Sequence, residues 1–365
     1  MSEVYDFLKE NKMLFDSFDR KKSAKAFLKD MKEKKTLGMF KTYQKVSSVD
    51  SLKGKILAID AGGTNLRFAP LEDGEVKDIK AMPMFGSKEE MTVDTFFDLM
   101  AAEIDKYDAD RVGFCFSYPC SIQENKDGKI VSFAKEIKIK GAKGRLLGEE
   151  LNKRLKTKRE FSVLNDTVAA QLGTGADIGI ILGTGFNICY TDPTQDMIIV
   201  SECGLYQGFP QGKFDEMLCS EMHSPLTVAE KLISGAYLGK LIEITAREYF
   251  GPKLPEFELI DVSEFLIGEG KLYECLSPNE RNEFREMISL IQQRGASYVA
   301  LMLECLLSVY KKEGQTLKVA LEGSTIYKMP GYHEALKDAF DEIQGFDLEF
   351  VDARGMLLYG CARSF

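Results

Sequence analysis

Two short glycine turns carry the most evident chemistry in this chain. In Lys55 to Leu71, KILAIDAGGTNLRFAPL, an apolar strand runs into Asp60 and then Gly62-Gly63-Thr64-Asn65 before a second strand leaves from Arg67. Glycines there let the backbone approach a ligand with its N–H groups exposed, and Thr64 and Asn65 add side-chain donors, which suits a phosphate. The design recurs at Ile178 to Tyr190, IGIILGTGFNICY, where Gly183-Thr184-Gly185 separates two apolar strands and an Asn again follows closely. An internal repeat of this kind implies two similar lobes, each offering one turn to the same polyphosphate, so the expected ligand is a nucleotide clamped between lobes. Other phosphate motifs do not compete. Gly208 to Lys213 and Gly235 to Lys240 have three residues between their glycines and are followed by Phe214 and Leu241, whereas a P-loop needs four and then Ser or Thr. Gly173-Thr174-Gly175 lacks the third glycine of a dinucleotide fold.

The elements that must position these turns read as alternating strands and helices. Ser2 to Thr36 forms two charged amphipathic helices, with Ser23 capping the second, Phe27, Leu28 and Met31 on its apolar face and Gly38 ending it, a lead-in to the first lobe. Asp73-Gly74 marks a hairpin, a helix spans Val93 to Tyr107, and a strand over Arg111 to Ser117 stops at Tyr118-Pro119. Gly128 separates two extended stretches, the second over Lys129 to Ala134, and Gly144 to Lys156 is helical. A strand over Phe161 to Leu164 ends at Asn165-Asp166-Thr167, where a helix begins and where the lobe boundary falls. Helices then cover Thr227 to Phe250, Pro278 to Gln293 and Gly295 to Tyr310, before a last strand, Leu317 to Leu321, stops at Glu322-Gly323-Ser324. This order predicts mixed α/β lobes, each a sheet covered by helices, sharing a hinge with the ligand site in the cleft between them.

Composition narrows the function further. The 365 residues are enough for two domains with full cores, and 44% hydrophobic with 29% charged residues is ordinary for a globular protein. A net charge of -9 argues against nucleic acid or an anionic membrane as partner, so phosphate must be held by local donors. Eight cysteines without a C-x-x-C pair and only two histidines give no zinc site. The opening MSEVYDFLKENK lacks the apolar core of a signal peptide, and the longest apolar run, Tyr298 to Leu303, stops at Glu304, so a cytoplasmic, reducing location is expected.

Phosphoryl transfer from a nucleotide needs a phosphate cradle, a metal, a base for the attacking hydroxyl and shelter from water. The ordered set Asp60-Ala-Gly-Gly-Thr-Asn-Leu-Arg67, Phe116-Ser-Tyr-Pro119, Asn165-Asp-Thr167, Leu182-Gly-Thr-Gly185, Glu202-Cys-Gly204, Glu230-Lys-Leu-Ile233 and Glu322-Gly-Ser324 resembles the hexokinase family, as does the lead-in Leu37-Gly-Met-Phe-Lys-Thr-Tyr43. The resemblance implies the two-lobed actin-like ATPase (ribonuclease H-like) fold. Residues 1–54 would be a helical lead-in packing on the lobes, 55–165 the small lobe, 166–345 the large lobe and 346–365 a segment returning to the small lobe. It implies an ATP-dependent hexose kinase at the entry to glycolysis, with the sugar 6-OH as acceptor. Asp166 would be general base, with Lys135 and Arg67 offsetting the transferring charge. Ser117, Tyr118, Pro119, Lys135, Asn165, Asp166, Glu202 and Glu230 would line the sugar site. Asp60 would hold Mg²⁺ through water, Gly62, Gly63, Thr64, Asn65, Arg67, Gly183, Thr184 and Gly185 would cradle the phosphates, and Gly323 and Ser324, with Arg294-Gly295-Ala296 opening a helix, would form the adenosine side.

Local alternatives stand beside these roles. Asp166 can cap its helix, and Thr227-Val-Ala-Glu230 reads as a capping box that would occupy Glu230. The chain also departs from the family pattern. Phe133-Ala134-Lys135-Glu136 stands where Trp-Thr-Lys-Gly is usual, Val200 replaces an amide, Asp352-Ala-Arg-Gly355 replaces a turn of small residues, and Thr325 is inserted beside Ser324. The first two substitutions keep open a hexose sensor that binds without much catalysis. An actin-like nucleotide-dependent assembly protein is the other alternative, needing the glycine turns but not the glutamates.

Overall fold

The computed structural model describes residues 2–46, 52–63, 65–133, 137–223, 226–308, 314 and 316–365. Its two large sheets repeat one plan. In the smaller, the strands run in the order Glu160–Leu164, Arg111–Phe116, Lys55–Gly62, Asn65–Glu72 and Glu75–Val76, with Lys80–Pro83 also pairing on Asn65–Glu72. In the larger, the order is Phe40–Lys41, Met197–Val200, Phe186–Asp192, Ile178–Leu182, Thr316–Glu322 and Asp347–Asp352. Each sheet sets the first strand of a glycine hairpin between its antiparallel return strand and a parallel strand from later in the chain, with a second parallel strand beyond. The repeat read at the glycine turns therefore extends to the topology of both halves. Lys55–Gly62 is buried over its whole middle, as a central strand covered on both faces must be.

The last parallel strand of each half feeds a helix. Glu160–Leu164 leads into Asp166–Thr174, and Asp347–Asp352 leads through a turn into Leu357–Ala362. The two helices cross at glycines. A Cβ on Gly360 would sit 1.9 Å from the Ala169 carbonyl oxygen, and one on Gly173 would sit 2.1 Å from that of Met356. Leu358, Cys361 and Ala362 there share a core cluster with Ile56 and Ala58 of the smaller sheet and with Cys189, Ile198 and Val200 of the larger. The segment 346–365 thus divides, its strand extending the larger sheet and its helix packing between the two.

Several local expectations change. The lead-in packs with the larger sheet: Val4, Leu8, Met13 and Phe27 belong to the core cluster that includes Ile180, Leu321 and Leu301, and Phe27 meets Tyr206 edge-on at 4.9 Å. Asp19, not Ser23, caps the helix Arg20–Glu33, which ends at Lys34 in the left-handed region and not at Gly38. The helix expected over Gly144 to Lys156 is shorter, Leu147–Asn152, and that over Thr227 to Phe250 breaks at Ser234. The second extended stretch past Gly128 is a strand only over Gly128–Ile130, and Ala134 lies outside the described residues. Pro278–Leu307 is one continuous helix opened by a Ser277–Glu280 capping box, so Arg294-Gly295-Ala296 begins nothing. Arg294 is 1% exposed and pairs with Asp215 at 2.6 and 3.0 Å, which holds the long helix to the helix Lys213–Glu221. Strand Asp347–Asp352, unforeseen, follows the one expected to be last.

The crossing gives a direct test. Gly360→Ala forces a methyl group against backbone, and is expected to lower unfolding stability by about 3 kcal/mol, the upper end of the usual overpacking range. Urea unfolding of the variant against wild type measures it.

Candidate active site

The smaller sheet supplies one wall. Asp60 and Arg67 are register partners across the hairpin, so their side chains share a face, and Arg67 Nη2 meets Asp60 Oδ2 at 2.7 Å. Asp60 is 2% exposed, its Oδ1 has no donor among the described residues, and burial pushes its carboxyl up against the opposing pull of Arg67. Gly62 lies over this carboxylate, a Cβ there falling 3.4 Å from Asp60 Oδ1 and 3.6 Å from Ser117 Oγ. Gly63, at φ 53°, would have nothing within 4 Å of a Cβ, and Asn65 is exposed opposite Gly62, so the turn faces open space. Thr64 lies outside the described residues, as do Ala134, Lys135 and Glu136.

Ser117 follows the strand Arg111–Phe116 and donates its N–H to Ala61 O at 3.2 Å. Tyr118 does not fit a place on the sugar. It is 4% exposed, its ring packs on Phe116 and Phe133, and its hydroxyl donates to Gly63 O at 2.5 Å. It supports the first glycine turn from behind. Pro119 is exposed and its carbonyl accepts from Val131 N–H at 2.9 Å.

At the junction of the halves, Asn165 and not Asp166 caps the helix, its Oδ1 accepting from Val168 N–H at 2.9 Å. Asp166 is the first helical residue. Thr167 holds its Oδ1 through the backbone N–H at 2.7 Å and the hydroxyl at 3.3 Å, and no protein donor reaches Oδ2 among the described residues. Burial pushes this carboxyl up, Thr167 opposes, and the nearby Asp60 charge pushes it further.

The larger sheet supplies the facing wall. Glu202 stands at φ 52°, a strained backbone for a residue with a Cβ, of the sort that collects at functional sites. Burial pushes its carboxyl up to about 7; Asn187 opposes, its amide donating to Oε1 at 2.9 Å, while the charges of Asp166 and Glu230 add to the rise. Asn187 is a site residue beyond those the motifs point to. Its signal was its place just behind the second glycine turn, mirroring Asn65 behind the first. Glu230 makes no capping box, since Thr227 lies at φ 56° with no side-chain cap. Burial pushes its carboxyl up, the Phe186 backbone opposes, and a Cβ on Gly185 would lie 2.9 Å from its Oε1.

The second glycine turn is fixed by its neighbours. Gly183 O accepts from the Thr325 hydroxyl and from Gly235 N–H, both at 2.8 Å, and Ala236 N–H reaches the exposed Thr184 at its carbonyl, 3.2 Å away. A Cβ on Gly183 would lie 3.4 Å from Ser324 N and 3.6 Å from the Gly323 Cα, so the inserted Thr325 ties the two turns together. Just before them, Glu322 has a buried Oε2 without a donor, and its burial-raised carboxyl feels Arg67 and Asp166. Glu322 stands in the motif Glu322-Gly323-Ser324, and its carboxylate joins the site beside the glycine and serine. Arg294-Gly295-Ala296 sits mid-helix in the core and does not join this group. Val200 is 4% exposed in the core between the sheets, so the amide missing there has no bearing on the cleft.

Asp60 acts on Asp166, Asp166 acts on Glu202 and Glu322, and Glu230 acts on Glu202, so these carboxyl groups form one connected acidic set. A divalent cation fits at Asp60, where a buried carboxylate oxygen lacks a donor that metal-bound water would supply. Two repeated lobes with a glycine turn from each define a protein of the actin-like ATPase fold. The hexokinase family model matches residues 9–175, and its second part matches residues 177–265 and 256–355. Hexokinase-1 of Schizosaccharomyces pombe is 26% identical over 364 residues, covering 81% of this chain and 74% of that protein. Hexokinase-2 of Rattus norvegicus is 27% identical over 369 residues, covering 82% of this chain but 40% of its own length. Among solved structures, the Schistosoma mansoni hexokinase complexed with glucose superposes with a TM-score of 0.77 at 20% identity over 99% of both chains. A ROK family glucokinase from Streptomyces griseus, in complex with glucose and AMPPNP, gives 0.54 at 16% identity, covering 85% of this chain and 98% of that one. The chain belongs to the hexokinase family. Among the described residues, no helix is long and apolar enough to cross a membrane.

Glu202 makes the site's cost to the fold measurable. Its folded value of about 7 lies above the ordinary 4.5, so its contribution to stability is full below about 4.5 and lost as pH rises through about 7. Glu202→Gln cannot ionise and still accepts from Asn187. The variant is therefore expected to gain on wild type between pH 5 and pH 8, by about 2 kcal/mol, read as the difference in urea-unfolding free energy at the two pH values.

Proposed function

We propose that this chain is an ATP-dependent hexose kinase that moves the γ-phosphate to a sugar hydroxyl, the 6-OH of glucose or a related hexose. The observation that carries the reading is Asp166, a carboxylate at the junction of the halves with one oxygen held by Thr167 and the other without a protein donor among the described residues. Its Oδ2 takes the proton of the acceptor hydroxyl as that oxygen bonds to the γ-phosphorus and the bond to the β-phosphate oxygen breaks, releasing ADP. The rise in its carboxyl makes it a stronger base than a solvated aspartate. Ser117, Asn165, Asn187, Glu202 and Glu230 supply the directed donors and acceptors that fix a polyol. The turns 62–65 and 183–185 hold the phosphates by backbone N–H groups, Gly323 and Ser324 lie on the nucleoside side, and Arg67 offsets transferring charge. Mg²⁺, held by Asp60 through water, neutralises β- and γ-phosphate charge when bound. Closure of the halves over the sugar excludes water. In the cytoplasm such a reaction commits hexose to glycolysis.

A glycine-turn assembly protein has no use for the carboxylates of Asp60, Glu202 and Glu322 around Asp166, and the sensor reading loses the support it drew from Val200. Coupled ADP release against glucose, fructose, mannose, N-acetylglucosamine and no sugar is the test. Sugar-dependent release is expected, and release independent of sugar, or none, sinks the reading. Asp166→Asn is expected to lower kcat by at least about 10² while ATP binding persists, the scale of general-base catalysis. Near-normal turnover by that variant would remove Asp166 from the role.

A further inference from the structure

The strand Arg111–Phe116 runs parallel beside Lys55–Gly62, with Phe116 opposite Ala61, so both deliver their next residues to the same end of the smaller sheet. The segments that leave them stay joined. Ser117 N–H donates to Ala61 O at 3.2 Å, and the Tyr118 hydroxyl reaches two residues further along the glycine turn, donating to Gly63 O at 2.5 Å. Gly63 stands at φ 53°, where a Cβ would meet nothing within 4 Å, so packing does not fix the peptide at the tip of the turn. A hydrogen bond to its carbonyl does, because a peptide unit is planar and turns as one body.

The other end of Tyr118 belongs to a different segment. Pro119 O accepts from Val131 N–H at 2.9 Å and from Ser132 N–H at 3.4 Å, and the next residue, Phe133, packs its ring on that of Tyr118 with centroids 5.1 Å apart. Phe116 completes the trio, 5.0 Å from Tyr118 and 5.5 Å from Phe133, and Phe96 of the helix Val93–Ile104 backs Phe133 at 5.5 Å. The Tyr118 ring therefore takes its place from residues 131–133, two positions before Lys135, while its hydroxyl holds Gly63. No rotatable bond separates the packed ring from the oxygen it carries, so a shift at Phe133 reaches the glycine turn undiminished. A buried tyrosine ordinarily ties its hydroxyl to a convenient carbonyl. Here the carbonyl is in the turn proposed to hold phosphate, and the preceding residue is Ser117, proposed to hold the sugar.

We infer that Tyr118 is a positioning residue that couples the two substrates: its ring follows the segment 131–133 on the sugar side, and its hydroxyl sets the Gly63 peptide for the donor phosphates. At 4% exposure it acts through Gly63 and not by touching either substrate. Sugar that orders residues 117–119 and 131–133 thereby orders the phosphate turn, and the nucleotide acts back on the sugar by the same route. The inference rests on the proposed reaction, which puts sugar on one side of Tyr118 and polyphosphate on the other.

Calorimetry on the full chain tests it, with ADP titrated in the presence and absence of glucose. Wild type is expected to bind ADP more tightly with glucose than without. Tyr118→Phe keeps the ring and removes the hydroxyl, and is expected to lose about tenfold in ADP affinity with glucose present, the worth of one hydrogen bond, so that the two values draw together. Affinity for glucose alone and the melting temperature should stay at wild-type values, whereas the gain in glucose affinity given by ADP should fall by the same factor. Phe133→Leu leaves the hydroxyl and loosens the ring, and should lower the ratio part of the way. A wild type without such a ratio, an unchanged ratio in either variant, or an equal loss of ADP affinity with and without glucose would each overturn the inference, as would a joint fall of both affinities with a lowered melting temperature. Sugar-dependent turnover of wild type judges the proposed reaction separately, and the binding ratio judges Tyr118 whether or not turnover is seen.

Discussion

The architecture depends on two helices meeting at backbone distance. Asp166–Thr174 and Leu357–Ala362 each leave the last strand of one half and cross where Gly173 and Gly360 leave no room for a methyl group. Contact that close joins both sheets through one shared core cluster. Any side chain at the crossing would hold the helices apart. The repeated topology makes this possible, since the same strand order in each half delivers an equivalent helix to the same meeting point.

What converges there is unfavourable to the fold by itself. Five carboxyl groups lie near one another with burial raising each, and Arg67 is the only cation paired with one of them among the described residues. Glu202 adds backbone strain at φ 52°. Unpaired acidic oxygens at Asp60 and Glu322 await partners that the protein does not provide among those residues. In the proposed reaction a polyol and a cation-bearing polyphosphate bring the donors and positive charge this arrangement lacks. The core around it supports the cost: the larger half is one continuous apolar cluster running from Val4 to Ile343, and the Arg294–Asp215 pair inside it is fully buried and doubly hydrogen-bonded.

How much of this was legible in the sequence follows from range. The glycine hairpins, the Asp73-Gly74 turn and the junction at Asn165-Asp166 were readable because strand, turn and cap are local. Gly74 at φ 84° and Asp73 at φ 50° are what an Asp-Gly hairpin predicts. Side-chain destinations were not readable where a neighbour distant in sequence decides them. Thr227-Val-Ala-Glu230 has the letters of a capping box, yet Thr227 lies in the left-handed region and caps nothing with its side chain. Tyr118 stands in a polar motif, yet two phenylalanines take its ring. Val200 stands where the family has an amide, yet it packs in the core between the sheets, while Glu202 two residues on takes a left-handed backbone. The long helix was split at Arg294-Gly295 because glycine weakens a helix locally, but a Cβ there would meet the Tyr332 hydroxyl at 2.7 Å, so packing demands the glycine within an unbroken helix.

The position of Asp166 follows from the same crossing. A residue in the first turn of a pivot helix moves least when two halves rotate about that pivot. In the proposed reaction the glycine turns and the loop of Glu202 close over the ligand, and their final spacing depends on how far closure goes. A base carried on either wall would be displaced from the acceptor by any incomplete closure. At the junction, with Asn165 capping the helix and Thr167 clamping one oxygen, it keeps its place while the walls come to it. In the proposed reaction the halves then bring phosphate and sugar to a carboxylate that is already in position, which reduces the geometric demand of closure to two moving parts.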